Sequence, residues 1–118
     1  MRDHRSLEAW QEAHRVVKLS LDLARDHWRP YLSEVYRQLT SAAVSAQVNI
    51  TEGYGLGTAP QFLRHLRIAY GSALEAGDLI DLLAERGDVP ETVGQRAQQS
   101  SHRSQRLLLG LIKRYQAK

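Results

Sequence analysis

Asn49 and Glu52 stand three positions apart, and Ser72 and Glu75 repeat that spacing further along the chain. Residues three apart share one face of a helix, so two polar faces, each with a carboxylate, would meet if the helices pack together. Paired carboxylates serve as general acid and general base. The same four groups also suit a hydrogen-bonded network that fixes helix register and secures a helix end. No nucleophile, anion hole or substrate pocket is legible beside them. That favours the network, with an enzyme using Glu52 and Glu75 as the alternative.

Other chemistries find less support. Di-iron bundles use Glu-x-x-His pairs, but Glu34, Glu52, Glu75 and Glu91 are followed three positions later by Arg37, Gly55, Asp78 and Gly94. His4, His14, His27, His65 and His102 lack ligand spacing. Neither a metal nor another cofactor is expected. The Tyr54-Gly-Leu-Gly57 stretch lacks the lysine of a phosphate-binding loop and follows no strand pattern, so it reads as a helix exit. With no cysteine in the chain, thiolate chemistry and disulfides are excluded.

The elements that must position these groups are helical. Leu7, Trp10, Ala13, Val17, Leu21, Ala24 and Trp28 recur every three or four residues and predict a first helix over 6–27, capped by Ser6 or Asp3. A second helix over 32–54 carries Leu39 on its apolar row together with Ala42, Ala43 and Ala46, small side chains that allow a neighbour to come close. Gly53, Gly55 and Gly57 mark its end. Thr58 and Gln61 form a capping box for a third helix over 59–85, whose middle holds Gly71 and Ala73. Glycine inside a helix costs about 1 kcal/mol relative to alanine, which predicts close packing at Gly71. A fourth helix over 89–115 is expected to start from an Asp88/Glu91 capping box. Four helices with short connections predict a single all-α domain, an antiparallel up-and-down four-helix bundle.

Apolar side chains exceed what one bundle face needs at Val16 and Leu23, and again at Leu108, Leu109 and Ile112. These five are the expected oligomer contacts. Charge is segregated as well. Thr92 to Lys118 carries six bases and no acid, whereas Gly71 to Glu91 carries six acids against Arg86. Neutralisation within the fold or between subunits is one reading, and a surface for RNA or DNA is the other, with Arg64, Arg67, Arg96, Arg103, Arg106, Lys113 and Arg114 as candidate phosphate contacts. No helix-turn-helix, zinc finger or stacking platform is recognisable, so binding would be nonspecific. No stretch approaches the roughly 18 apolar residues of a membrane span. A cytoplasmic protein is expected.

The motifs Ser45-Ala-Gln-Val-Asn49-Ile-Thr-Glu52-Gly53, Phe62-Leu-x-x-Leu66-x-Ile-Ala69-x-Gly71-Ser72-x-x-Glu75 and Leu7-x-x-Trp10-x-x-Ala13 resemble the bacterial four-helix bundle family. It is also called the ribosomal RNA intervening-sequence protein family and is related to the accessory variability protein of retroelements. The resemblance implies a ring-like homopentamer without established activity. Its retroelement branch implies a basic scaffold that binds nucleic acid and a reverse transcriptase. Ser45, Asn49, Glu52, Gly53, Gly71, Ser72 and Glu75 fall on the signature positions. The arginine pair common before the serine motif is replaced by Thr40 and Ser41, and the usual proline by Gln47.

Overall fold

Gly87 shows how the sequence sets a helix end. Its φ of 74° is left-handed, where glycine is favoured, and its amide and that of Asp88 close back onto Ala84 and Leu83. The computed structural model describes residues 3–117 and contains four long helices: α1 (Glu8–Asp26), α2 (Ser33–Gly55), α3 (Ala59–Arg86) and α4 (Glu91–Gln116). Short 3₁₀ turns at His4–Ser6 and Pro30–Leu32 precede α1 and α2. No strand occurs among the described residues. Each helix packs against its neighbours in the chain, and α4 closes against α1 to complete an all-α bundle 44 Å long.

The ends differ from expectation where side chains found other partners. Asp3 caps the 3₁₀ turn, accepting from the Arg5 amide, and α1 begins after Leu7 with no side-chain cap. Thr58 caps α3 by accepting from the Gln61 amide, as its spacing predicts. Asp88 does not cap α4, whose N-cap is Pro90. Its carboxylate instead accepts from Arg86 Nε at 2.9 Å and the Tyr31 hydroxyl at 3.1 Å.

The core has two parts. One includes Leu32, Leu39, Ile80 and Leu83, and the other Ile50, Phe62, Leu66 and Leu108. A waist that includes Ala43, Ala46, Ala73, Ala76, Ser101 and Ser104 surrounds a void of about 10 Å³. Small side chains from three helices, with Ala13 and Val16 from α1, line the void at this level and leave it almost filled. The small faces of α2 and α3 meet as predicted, and α4 joins them with serines.

The expected oligomer contacts are largely used up by this core. Val16, Leu23, Leu108 and Ile112 are 0–6% exposed within one chain, and Leu109 is half-buried. The breadth of the apolar stripes on α1 and α4 has an internal cause: each of these helices packs against two neighbours.

Candidate functional site

Two polar seams and one buried carboxylate hold the chemistry-bearing side chains. In the α2/α3 seam, the Ser45 and Ser72 hydroxyls lie 2.9 Å apart. Asn49 Nδ2 donates to the Ser45 carbonyl at 2.9 Å, and Asn49 Oδ1 lies 2.9 Å from His65 Nδ1. Gly53 makes room for this seam, since a Cβ there would stand 2.6 Å from His65 Cβ. Four of the signature residues, Ser45, Asn49, Gly53 and Ser72, therefore do meet at one helix contact.

The carboxylates do not. Because α2 and α3 run in opposite directions, moving from Ser72 to Glu75 leads away from Asn49 and Glu52. Glu52 sits beside His65, 3.9 Å from Nδ1, and is exposed. Glu75 is exposed ten residues further along α3, about 15 Å by helix rise. The predicted four-residue cluster is thus corrected to Ser45, Asn49, His65 and Ser72, with Glu52 at its margin. Gly71 is corrected too: it is exposed, and a Cβ there would meet nothing within 4 Å. Close packing through glycine falls instead at Gly53, and at Gly77 against Gln105 and Ser101.

The α1/α2 seam was not anticipated. Trp10 Nε1 donates to Thr51 Oγ1 at 3.1 Å, and its ring stacks on His14 at 4.9 Å. His14 Nδ1 in turn lies 3.0 Å from Gln47 Nε2. Gln47 thus gains a bond that proline there could not make.

Glu12 was missed as well. It is 3% exposed, and its carboxylate accepts from Ser100 Oγ at 2.5 Å, Arg15 Nη1 at 2.5 Å and Arg103 Nε at 3.1 Å. The available signal was its place on the apolar stripe, three residues after Ala9 and four before Val16. Of the candidate phosphate contacts, Arg96 and Arg103 line the α1/α4 cleft beside Glu12, and Arg106 and Arg114 line a second cleft between the same helices. Lys113, Arg64 and Arg67 are exposed and line neither.

These parts define an all-α helical bundle knit by polar seams, without a converging carboxylate pair. Among the described residues no group of three or more histidines, aspartates or glutamates could hold a metal ion. A family model described as 23S rRNA-intervening sequence protein matches residues 5–110, and the chain belongs to that family. A crystal structure from Bacteroides thetaiotaomicron, of a protein with unknown function from the S23 ribosomal protein family, shares the fold. Its TM-score is 0.74 at 22% identity, over 89% of this chain and 94% of that one. No curated protein matches the sequence.

Proposed function

We propose that the chain is a non-enzymatic scaffold that assembles with copies of itself through the outer face of α2 and α3 and holds nucleic acid along its α1/α4 side. The observation that carries this reading is the separation of two surfaces. Val44, Val48 and Ile68 remain 41–43% exposed beside the Ser45–Ser72 seam, whereas Arg96, Arg103, Arg106 and Arg114 line the clefts between α1 and α4. Apolar side chains left outside a folded core favour a protein contact, and clustered arginines favour phosphates. Exposed Gly71 on α3 suits the assembly role, because a neighbouring backbone could approach it closely.

Five copies is the number the resemblance implies, and the family's name makes 23S rRNA intervening sequence the first RNA to test. A reverse transcriptase is the protein partner to seek if its gene lies alongside. A cytoplasmic location belongs to the same reading, and no helix among the described residues is long and apolar enough to cross a membrane. The divergence of Glu52 and Glu75 takes away the acid-base pair on which the enzyme alternative rested. Light scattering at micromolar concentration tests assembly, and a monomer mass would overturn it. Titration with RNA and DNA at low ionic strength tests the second half, which fails if neither shows salt-dependent binding.

A further inference from the structure

An isolated carboxylate at the depth of Glu12 would be costly, and two guanidiniums and a hydroxyl are arranged against it. Oε2 accepts from Ser100, and Oε1 is shared by Arg15 and Arg103. Each arginine engages Glu12 with one nitrogen. Among the described residues, their other guanidinium nitrogens have no protein partner, and the two side chains are 58% and 52% exposed. They border a cleft of about 220 Å³ that Arg96 also lines, one helical turn before Ser100. Three arginines and one carboxylate therefore line the same cleft.

We infer that this cleft seats the phosphodiester backbone of a nucleic acid, and that Glu12 is its positioning residue. Guanidinium forks match phosphate oxygens, and holding them in place beforehand reduces the ordering that binding requires. Glu12 ties Arg15 of α1 and Arg103 of α4 to one carboxylate oxygen, and both side chains stay more than half exposed at the cleft. Along α4 the row continues through Arg106 and Arg114, about 27 Å from Arg96 by helix rise. This assignment rests on the nucleic-acid half of the proposed function and adds the place and the device.

The competing account is that the arginines only neutralise Glu12 and that polyanions respond to net charge. Glu12→Gln separates the two by sign. Glutamine keeps the size and an acceptor for Ser100 but makes the cleft more positive. Charge alone then gives tighter binding, whereas loss of positioning gives weaker binding.

The experiment is fluorescence anisotropy with a labelled RNA oligonucleotide and a labelled DNA duplex, with thermal melting of each variant to confirm folding. Glu12→Gln should weaken binding several-fold. Arg96→Ala, which touches neither Glu12 nor the core, should weaken it about tenfold and lower the slope of log K against log salt by about one. Arg64→Ala on α3 should change neither. Inorganic phosphate at matched ionic strength should not displace the polymer, and displacement would make this a site for a free anion instead. Should the wild type bind while Arg96→Ala leaves affinity unchanged, the seat is wrong and the broader reading stands. Tighter binding by Glu12→Gln removes the positioning role. No binding by the wild type to either polymer removes the seat together with the reading on which it rests.

Discussion

Asn49 Oδ1 lies 2.9 Å from His65 Nδ1 and joins α2 to α3 at the level where Gly53 lets the two backbones close in. Donation from Asn49 Nδ2 to the Ser45 carbonyl assigns the amide orientation, so His65 Nδ1 carries the proton in this bond. The asparagine reads both a helix carbonyl and a side chain of the next helix. Removing it should disturb packing between helices as well as local structure.

Asn49→Ala is expected to destabilise the fold by about 1–3 kcal/mol, since it leaves a partly buried imidazole without its acceptor. Glu75→Ala, at an exposed position outside the seam, should stay within about 0.5 kcal/mol of wild type. Urea unfolding of both variants compares them directly. Equal costs would restore Glu75 to the cluster.

The two motif glycines should respond in opposite directions. A Cβ at Gly53 would stand 2.6 Å from His65 Cβ and 3.0 Å from Phe62 Cδ1, so Gly53→Ala forces a shift worth about 1–3 kcal/mol. Gly71 meets nothing within 4 Å in an exposed helix interior, and Gly71→Ala should raise stability by up to about 1 kcal/mol. Thermal melting of the two variants at low protein concentration checks both.

Helix order and the Thr58 cap of α3 were legible because they rest on local rules, apolar spacing and the spacing of Thr58 to Gln61. The caps expected for α1 and α4, by contrast, lost their side chains to other partners. The meeting of the small faces followed from the alanines. Partner choice across helices was not legible, because it depends on antiparallel register. Register sets Ser72 against Ser45 but carries Glu75 away from Glu52. Likewise His65, whose spacing suits no ligand set, shows its role only once its position against Gly53 and Asn49 is known. Counting apolar residues alone also hid Glu12, a charge standing on an otherwise apolar stripe.

Ser20 offers a test of the core itself. It is 0% exposed, and its hydroxyl has no hydrogen-bond partner among the described residues. Burying an unpaired hydroxyl is unfavourable, so Ser20→Ala should stabilise the bundle by about 1 kcal/mol, read from the urea midpoint at unchanged slope. A loss of stability would mean that the hydroxyl has a partner in solution.

Glu34 should titrate abnormally low. Hydrogen bonds from Arg37 and then Gln38 lower its carboxyl from the ordinary 4.5 to about 2. A carboxyl depressed in the folded state contributes stability above its unfolded pKa. That contribution disappears as the pH falls from about 4.5 to about 2. The group is exposed, so the effect on total stability should be small. Side-chain carboxyl NMR provides the titration, and Arg37→Ala should move it back toward the ordinary range.

The proposed assembly would depend on which apolar side chains the fold leaves outside. Val16 and Leu23 are 5% and 3% exposed and belong to the core, so substituting them reports on folding and says little about association. Val48 is 43% exposed on the outer face of α2, with Val44 one turn before it and Ile68 across the seam on α3. A carboxylate at Val48 costs the single chain little, because water reaches it. Between two copies the same carboxylate would lose that water without a designated partner, at a cost of several kcal/mol. Val48→Asp should therefore shift the light-scattering mass toward the monomer while helical content and the melting of the isolated chain stay near wild type. An unchanged mass would move the contact away from the α2/α3 face.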